Sequence, residues 1–441
     1  MKLTLVFLII FFLNNCSFDN KTGIWDNEKS ILKKENDQFK DFKKLSNSQV
    51  IFNKTVPLQK EFEIQMPNLI NPKQWLEIFY SRNNNFENFK YGYLNQVLLK
   101  TGKLTNNSVS EYKLFANDNL ILNDQKGNLI IYSLKENRIV HKFNFYKKRY
   151  KNIKKKLNLI IENQIIYVSD NIGYLYAFNF NKGNLIWAKN YKVPFNSNLK
   201  ISNKFIFTSN INNTFLVLDK RNGNIIKRIP TEEAVVQNDF KNNLAQNNDL
   251  IFFLNTFGSL YAVDQQKLNT KWYVNLNMAE KSNLEDLFYG SQIVSNENVI
   301  VTSSQDSTYI IDSNNGSIIY KLNFVSKIKP LLINNYLFLI SNNDLLISFD
   351  MINGQIIYSY NINKKISKFL KIKQKEAQFK FITMANNTLF IILKNSFVLK
   401  FSIDGTLKKV YKLPSKIKTN PVFVNNVILF LNSKNKLLAV N

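Results

Sequence analysis

The chain has 441 residues, of which 45% are hydrophobic, and its 59 Lys and Arg against 32 Asp and Glu give a formal charge of +27. These proportions are enough for a large buried core. The single cysteine, Cys16, excludes an internal disulfide.

The N-terminus has the pattern of an export signal. Met1 and Lys2 precede an apolar run over residues 3–13, which is too short to span a bilayer as a stable helix. The run ends before Cys16 in a sequence that resembles a bacterial lipoprotein signal, in which the cysteine becomes the lipid-modified first residue. Asn15 departs from that pattern, where Gly, Ala or Ser is usual, so a plain secretory signal with an incidental cysteine is the alternative.

Two segments follow the export signal. We predict that residues 1–15 are removed, that residues 16–59 form a lipidated, polar tether, and that residues 60–441 fold as one domain. Ser17 after the cysteine favours outer-membrane over inner-membrane sorting by resemblance. An exported chain has no nucleic-acid partner to explain its charge, which leaves codon bias or attraction to a membrane or an acidic protein.

A hairpin pattern repeats along the predicted domain. In GYLYAFNFNKGNLIW, from Gly173 to Trp187, two alternating runs flank an Asn/Gly turn, which is typical of a β-hairpin. The same register recurs from positions 127, 173, 213, 258, 306, 344, 395 and 435. An apolar run introduced by a polar turn precedes each of these positions, and a shorter one precedes most of those runs.

Each repeat thus supplies about four short strands in about 40–50 residues, which is the period of a propeller blade. The predicted fold is all-β: an eight-bladed β-propeller of four-stranded antiparallel blades, with its ring closed by an N-terminal strand. The last repeat ends without a fourth strand, so we expect a strand near residues 60–66 to complete it. Residues 71–100 would then build the rest of the first blade.

The residue types that carry chemistry are sparse. Motifs of metalloproteases, serine hydrolases and P-loops are absent from the sequence. The one histidine, His141, falls in the slot held by Trp187 and Trp272, where we expect packing between blades. An aspartate recurs six residues into several repeats, where hairpin capping is expected and a calcium site or a carboxylate pair is the alternative. These aspartates are Asp219, Asp264, Asp312 and Asp350. We predict no catalytic, cofactor or metal site.

The repeat G-x-L-Y-A-F/V-D/N-x-x-x-G-x-x-x-W resembles the PQQ-like repeat of quinoproteins. Together with the lipoprotein signal and the tether, it resembles the BamB family of outer-membrane assembly lipoproteins. The resemblance implies a non-enzymatic, lipid-anchored scaffold on the periplasmic face of the outer membrane. It would bind the POTRA region of BamA and nascent outer-membrane proteins, with no cofactor and no small-molecule substrate. A blade edge that pairs with an incoming strand is one mechanism.

The resemblance also implies contact through loops on one face, one of them acidic. The nearest matches are residues 282–294, with Glu285 and Asp286, and residues 231–240, with Glu232, Glu233 and Asp239. The alternative is that both are solvated connections. Two other functions stay open: an exported ligand- or glycan-binding propeller, and a quinone-dependent dehydrogenase. The dehydrogenases carry a vicinal cysteine pair that one cysteine cannot supply.

Overall fold

The computed structural model describes residues 52–58, 64–146, 150–233, 241–277 and 290–441, together with three two-residue strands before them. The chain divides into two compact units, Met1–Asp41 and Phe42–Asn441. In the first unit, β1 (Ser17–Phe18) pairs antiparallel with β2 (Trp25–Asp26). The second unit begins with β3 (Lys43–Lys44), β4 (Asn88–Phe89) and β5 (Val97–Lys103) and continues into a propeller.

The propeller has eight blades, and each is an antiparallel sheet of four consecutive strands, except that the last takes its fourth strand from the N-terminal part of the chain. Blade 1 consists of β6 (Leu114–Ala116), β7 (Asn119–Asn123), β8 (Asn128–Ser133) and β9 (Arg138–Asn144), and blade 2 of β10 (Leu157–Glu162), β11 (Ile165–Asp170), β12 (Tyr174–Asn179) and β13 (Asn184–Asn190). Blade 3 consists of β14 (Lys200–Ser202), β15 (Phe205–Ser209), β16 (Phe215–Asp219) and β17 (Ile225–Ile229), and blade 4 of β18 (Asn243–Gln246), β19 (Leu250–Leu254), β20 (Ser259–Asp264) and β21 (Thr270–Asn275). Blade 5 consists of β22 (Val294–Ser295), β23 (Val299–Ser303), β24 (Thr308–Asp312) and β25 (Ile318–Leu322), and blade 6 of β26 (Leu331–Ile333), β27 (Tyr336–Ile340), β28 (Leu345–Asp350) and β29 (Gln355–Asn361). Blade 7 consists of β30 (Phe379–Ala385), β31 (Thr388–Leu393), β32 (Phe397–Phe401) and β33 (Leu407–Lys412). Blade 8 consists of β34 (Val422–Val424), β35 (Val427–Leu431), β36 (Lys436–Val440) and β5.

The predicted repeat is confirmed blade by blade. Each predicted hairpin position marks the start of the third strand of a blade, and the apolar run before it forms the second strand. These two strands are almost wholly buried, whereas the fourth strands β13 and β17 alternate or are exposed. The first strand of each blade is therefore innermost and the fourth outermost, as expected when stacked blades share a core.

The recurrent aspartates cap their hairpins, as predicted. The carboxylate of Asp264 accepts hydrogen bonds from the backbone N–H groups of Gln266 and Lys267, at 2.9 and 2.7 Å. Asp312 and Asp350 make the same pair of bonds in blades 5 and 6. Within the described residues, no cluster of His, Cys, Asp and Glu side chains could hold a metal ion.

The aromatic side chain at the tryptophan position of the repeat packs against the next blade, again as predicted. Trp187 lies over Gly223 and donates from Nε1 to the Lys220 carbonyl at 3.2 Å. Trp272 lies over Gly316 and donates to the Ser313 carbonyl at 3.1 Å. The rings of His141, Tyr320 and Tyr358 occupy the corresponding positions against Gly183, Gly354 and Gly405.

An N-terminal strand closes the ring, but it is not the one near residues 60–66. Strand β5 (Val97–Lys103) pairs antiparallel with β36 and completes blade 8. Residues 64–66 carry no strand. The expected place of residues 71–100 in the first blade is also wrong, because β6 to β9 form that blade and residues 70–93 run along the axis.

Three further elements lie on the ring, a helix and two short strands. The helix α1 (Ile362–Leu370), in the connection between blades 6 and 7, is capped by Asn361, whose side chain accepts from the Lys364 N–H at 2.9 Å. It is the only helix that the described residues contain, and none of those residues forms a helix long and apolar enough to cross a membrane. Strand β3 adds in parallel to the outer strand of blade 5, and β4 adds in parallel to the inner strand of blade 7.

Candidate functional site

The axis of the propeller is occupied by the chain itself. We call residues 70–93 the axial segment. Its backbone groups bond to the inner strands of blades 1 and 2: Trp75 exchanges both backbone bonds with Phe115, and Leu76 accepts from the Ile161 N–H at 2.9 Å. Strand β4, within the segment, pairs with Met384 and Ala385 of blade 7.

The remaining blades are reached in the same way. Arg82 and Asn83 accept through their carbonyls from the N–H groups of Gln246 in blade 4 and Ser295 in blade 5. Asn85 exchanges two hydrogen bonds with the backbone of Leu332 in blade 6, at 2.8 and 3.0 Å. In blade 8, the Asn425 N–H donates to the Pro72 carbonyl at 3.0 Å. Within the described part of the chain, a single segment thus bonds to backbone groups of seven of the eight blades, all except blade 3.

Asn84 is the most connected side chain of the segment. Its Nδ2 donates to the carbonyls of Leu244 and Ile293, at 2.8 and 2.9 Å. Its Oδ1 accepts from the ammonium of Lys200 in blade 3, which also forms a buried ion pair with Glu77. Burial lowers the pKa of Lys200, and the nearby Glu77 carboxylate opposes that effect. Blades 3, 4 and 5 are therefore bonded to one residue.

Aromatic rings fill the rest of the axis. Trp75 contacts Phe89, with ring centroids 5.4 Å apart, and Phe89 stacks on Phe423 of blade 8 at 5.2 Å. Phe86 packs on Phe381 of blade 7 at 4.7 Å. Trp75 and Phe89 are almost completely buried. This part of the axis is a solid core.

One end of the axis keeps a cavity of about 190 Å³. We call it the axial cavity. It lies at the start of the inner strands, on the face where each blade connects to the next. Aromatic rings line it, those of Trp75, Phe79, Phe86 and Phe381, and its polar groups come from Tyr112, Gln292, Asn420, Lys329 and Lys380, with Glu111 as the lining carboxylate.

The charged groups at the axial cavity are mostly cationic. The Lys329 ammonium donates to the Asn84 carbonyl at 2.6 Å and lies 3.6 Å from the centre of the Phe86 ring. Burial lowers its pKa well below the usual lysine value, and nearby Lys200 lowers it further. Lys380 is 3.3 Å from the Glu111 carboxylate, whose side chain is 64% exposed. Lys113, enclosed behind Lys380, donates to Thr419 and to the Asn420 carbonyl.

A larger cavity of about 370 Å³ shares Tyr112 with the axial cavity. Lys155, Lys156 and Lys241 line it, opposite Asp124. The Asp124 carboxylate is bonded to Thr105, Asn107 and Asn128, and these bonds lower its pKa. This face of the ring is therefore electropositive around its centre.

Two of the predicted contact residues lie on the same face, in the connection between blades 3 and 4. Glu232 is exposed, yet its carboxylate accepts from the Ser259 hydroxyl at 2.6 Å and from Asn255 at 3.3 Å. Glu233 is exposed and accepts from the Thr214 hydroxyl at 3.3 Å. Asp239, Glu285, Asp286 and Cys16, the predicted site of lipid attachment, lie outside the described residues.

Sequence reasoning missed the axial segment and the cavity above it. A usable signal was the density of aromatic residues between positions 75 and 93, without the alternation found in the repeats. The lysines gave no signal, because they are scattered among many others in the sequence.

Comparisons with known proteins agree with this geometry. The family described as "Outer membrane protein assembly factor BamB" matches residues 155–360. Comparison with curated protein sequences gives no match.

Among solved structures, BamB from Moraxella catarrhalis is 12% identical and superposes with a TM-score of 0.59 over 78% of this chain and 99% of its own. The computationally designed Ika8 protein gives a TM-score of 0.59 at 9% identity, over 78% of this chain and 99% of that protein. A quinohemoprotein alcohol dehydrogenase from Pseudomonas putida HK5 gives 0.60 at 10% identity, over 84% of this chain and 80% of the dehydrogenase. At such identities these likenesses show a shared fold.

Proposed function

We propose that this chain, a BamB-type propeller with PQQ-like repeats, is a non-enzymatic scaffold lipoprotein of the outer-membrane β-barrel assembly machine. It binds the POTRA region of BamA and aids the delivery and insertion of β-barrel proteins. The observation that carries this proposal is the match of residues 155–360 to the assembly-factor family, on a ring of the same architecture.

The filled axis supports a scaffold over a quinone-dependent dehydrogenase. Backbone bonds and stacked rings of the axial segment occupy the centre of the ring. The chain also has one cysteine, which cannot form a vicinal pair. Protein purified from its native membrane should therefore show no quinone absorbance, and stoichiometric quinone would contradict the non-enzymatic assignment.

The contact surface for BamA is proposed on the acidic residues of two connections: Glu232, Glu233, Asp239, Glu285 and Asp286. A chain with a charge of +27 has few such acidic groups, and complementary charge mainly sets partner choice and association rate. Since Glu232 and Glu233 also bond to blade residues, substitutions there would disturb the connection itself. Glu285 and Asp286 are the better positions to test.

Delivery of β-barrel proteins is proposed at the outer blade edges. The outer strand of blade 6 already pairs with another segment, because Val56 and Ser359 exchange backbone bonds at 3.0 and 2.9 Å. Large hydrophobic side chains are exposed on the outer strands of blades 2 to 4, at Leu185, Ile186, Ile225, Ile226 and Tyr273. Such an edge can accept an extended strand by backbone pairing.

Photo-crosslinking in the native membrane tests the BamA contact. A photoreactive side chain at position 286 should capture BamA, whereas one at exposed Lys182, in the hairpin turn between β12 and β13, should not. The double change Glu285→Lys and Asp286→Lys should lower the yield about tenfold or more, because like charges at an interface disfavour association. The matched control is Asp249→Lys, an exposed acid in the turn between β18 and β19.

Two outcomes would contradict the proposal. One is that photo-crosslinking captures no BamA from any position in the connections between blades. The other is unchanged levels of outer-membrane porins when the protein is depleted. A Cys16→Ser variant should leave the outer-membrane fraction if Cys16 carries the lipid, since lipid chains supply the anchoring energy.

A further inference from the structure

The axial cavity combines aromatic rings with lysines that have few anionic partners. Phe79, Phe86 and Phe381 line it, and the polar groups that face it include Lys329, Lys380 and the Tyr112 hydroxyl. Among the described residues, no carboxylate lies within ion-pair distance of Lys329. The carboxylates nearby are already engaged: Glu77 with Lys200, and Glu111 with Lys380.

Lys329 has the geometry of an anion-binding group. An ammonium group has three N–H donors. One of them bonds to the Asn84 carbonyl at 2.6 Å, and the face of Phe86 holds the group at 3.6 Å. Lys329 is half-buried, and its charged form is disfavoured there without an anion. An anionic ligand in the cavity would stabilise that charged form.

The neighbouring donors point to the same chemistry. Burial raises the pKa of Tyr112 to about 12, so its hydroxyl stays protonated, and it already accepts from the Gln292 amide at 3.0 Å. Its proton is therefore free to be donated to a ligand oxygen. Lys380 has a side chain only 8% exposed, and its partner Glu111 lies at the rim.

We propose that the axial cavity binds an organic carboxylate that carries an apolar body, with Lys329 as the principal anion contact. The carboxylate lies between Lys329, Lys380 and Tyr112, and the apolar body packs against Phe79 and Phe381. Inorganic phosphate fits this site poorly, because the rings offer it no hydrogen-bond partners. The site is independent of the scaffold role, since it uses none of the residues proposed to contact BamA.

This chemistry could come from a free aromatic acid or from the C-terminal carboxylate of a peptide that ends in an apolar residue. Benzoate represents the first source and N-acetylphenylalanine the second. Their neutral amides, benzamide and N-acetylphenylalaninamide, keep the shape and remove the charge. Trp75 lines the cavity, so its fluorescence reports binding.

The test is a titration of the full chain with these probes and with inorganic phosphate. We expect saturable binding of one or both acids with a dissociation constant of about 1 mM or tighter, as ligands of this size allow. The acid that binds more tightly identifies the source. The corresponding amide should bind about tenfold more weakly or worse, because charge-assisted hydrogen bonds are lost.

The variant Lys329→Met tests the assigned contact. It should weaken acid binding about tenfold or more while it leaves the unfolding temperature unchanged or higher, since methionine keeps the apolar contact with Phe86 and removes a desolvated amine. Lys373→Met, at an exposed position in the connection between blades 6 and 7, is the matched control and should bind like the parent protein. Lys380→Met gives a second variant, with a smaller loss expected.

Four outcomes would overturn the proposal: no saturable binding of either acid, equal binding of acid and amide, preference for inorganic phosphate, or undiminished binding by both lysine variants.

Discussion

At the residue scale, neighbouring blades are joined by an aromatic side chain that packs against a glycine of the next blade. Gly316 has φ of +78°, and a Cβ there would lie 2.4 Å from the Trp272 ring. The Trp272 ring is also fixed by its bond to Ser313, at 3.1 Å. The glycine is therefore needed both for its backbone conformation and for the space that it leaves.

The variant Gly316→Ala should lower the free energy of unfolding by about 2 to 4 kcal/mol, from a strained left-handed backbone and overpacking against the ring. The control is Gly102→Ala in β5, where a Cβ would meet nothing within 4 Å. That change should be neutral or stabilise by about 0.5 kcal/mol, since alanine loses less backbone entropy on folding. Denaturant unfolding of the two variants measures both effects, and similar losses would contradict the packing account.

Lys400 makes stability depend on pH. Its ammonium lies 2.8 Å from the centre of the Tyr93 ring and 5.6 Å from that of Tyr411. Burial, with a smaller contribution from Lys409, lowers its pKa from 10.5 to about 8. Between pH 8 and 10.5 the unfolded chain therefore binds more protons at this residue than the folded chain, so stability rises with pH there.

We expect the free energy of unfolding of Lys400→Met to rise less steeply than that of the parent protein from pH 8 to 10, and to exceed it at pH 7. The exposed Lys394, on the preceding turn, supplies the control variant Lys394→Met, which should follow the parent curve. Parallel curves for Lys400→Met and the parent would show that the amine is not desolvated.

At the scale of elements, the axial segment bonds the blades to one another through side chains as well as backbone. Asn84 has φ of +61°, a conformation that asparagine and glycine adopt readily. The change Asn84→Gly therefore removes its bonds to Leu244, Ile293 and Lys200 without straining the backbone. We expect a loss of about 2 to 4 kcal/mol, because two buried carbonyls and an ammonium each lose a partner.

Asn117 provides the matched control for Asn84. It has φ of +48° and is exposed in the turn between β6 and β7. Asn117→Gly should change stability by no more than about 0.5 kcal/mol, as surface substitutions usually do. Thermal and denaturant unfolding distinguish the two, and an equal effect would mean that the axial bonds add little to the ring.

The blade strands were predictable from the sequence because they carry local signals. Each hairpin shows two-residue alternation around a turn that needs glycine or asparagine, and Asp264 or its equivalents cap that turn from within the same hairpin. The roles of Trp187 and Trp272 followed from recurrence at one position of the repeat. These features are set by residues close together in sequence.

The closing strand and the axial segment depend instead on distant partners. Both residues 61–66 and β5 contain apolar residues, and β5 becomes the closing strand through its pairing with β36, which lies more than 330 residues away in sequence. Trp75 and Phe89 are buried because they pack against each other, and Phe89 also stacks on Phe423 of blade 8. The axial cavity was hidden for the same reason, since Tyr112, Gln292 and Lys329 come from three blade connections.

At the scale of the whole molecule, the ring is a closed chain of blades with a filled centre. The segment before blade 1 supplies both the outer strand of blade 8 and the axial residues. The same stretch of chain thus closes the ring at blade 8 and bonds the blades to one another from the centre. Closure of this kind leaves no free edge between the first and last blades.

We call the pairing of β5 with β36 the seam, and a pair of cysteines can test it directly. Leu99 of β5 and Ala439 of β36 are Cα partners, so Leu99→Cys with Ala439→Cys should form a disulfide that encloses nearly the whole propeller. The control pair is Tyr174→Cys with Asn190→Cys, which are partners within one hairpin of blade 2. Cys16→Ser in both proteins removes the native thiol.

Oxidation should raise the unfolding temperature of the seam variant more than that of the control. The chain-entropy model gives about 6 kcal/mol for a loop of roughly 340 residues and about 3 kcal/mol for the hairpin. Since each variant is compared with its own reduced form, the effect of the substitutions cancels. Failure of the seam pair to oxidise while the hairpin pair does so would show that β5 does not close the ring.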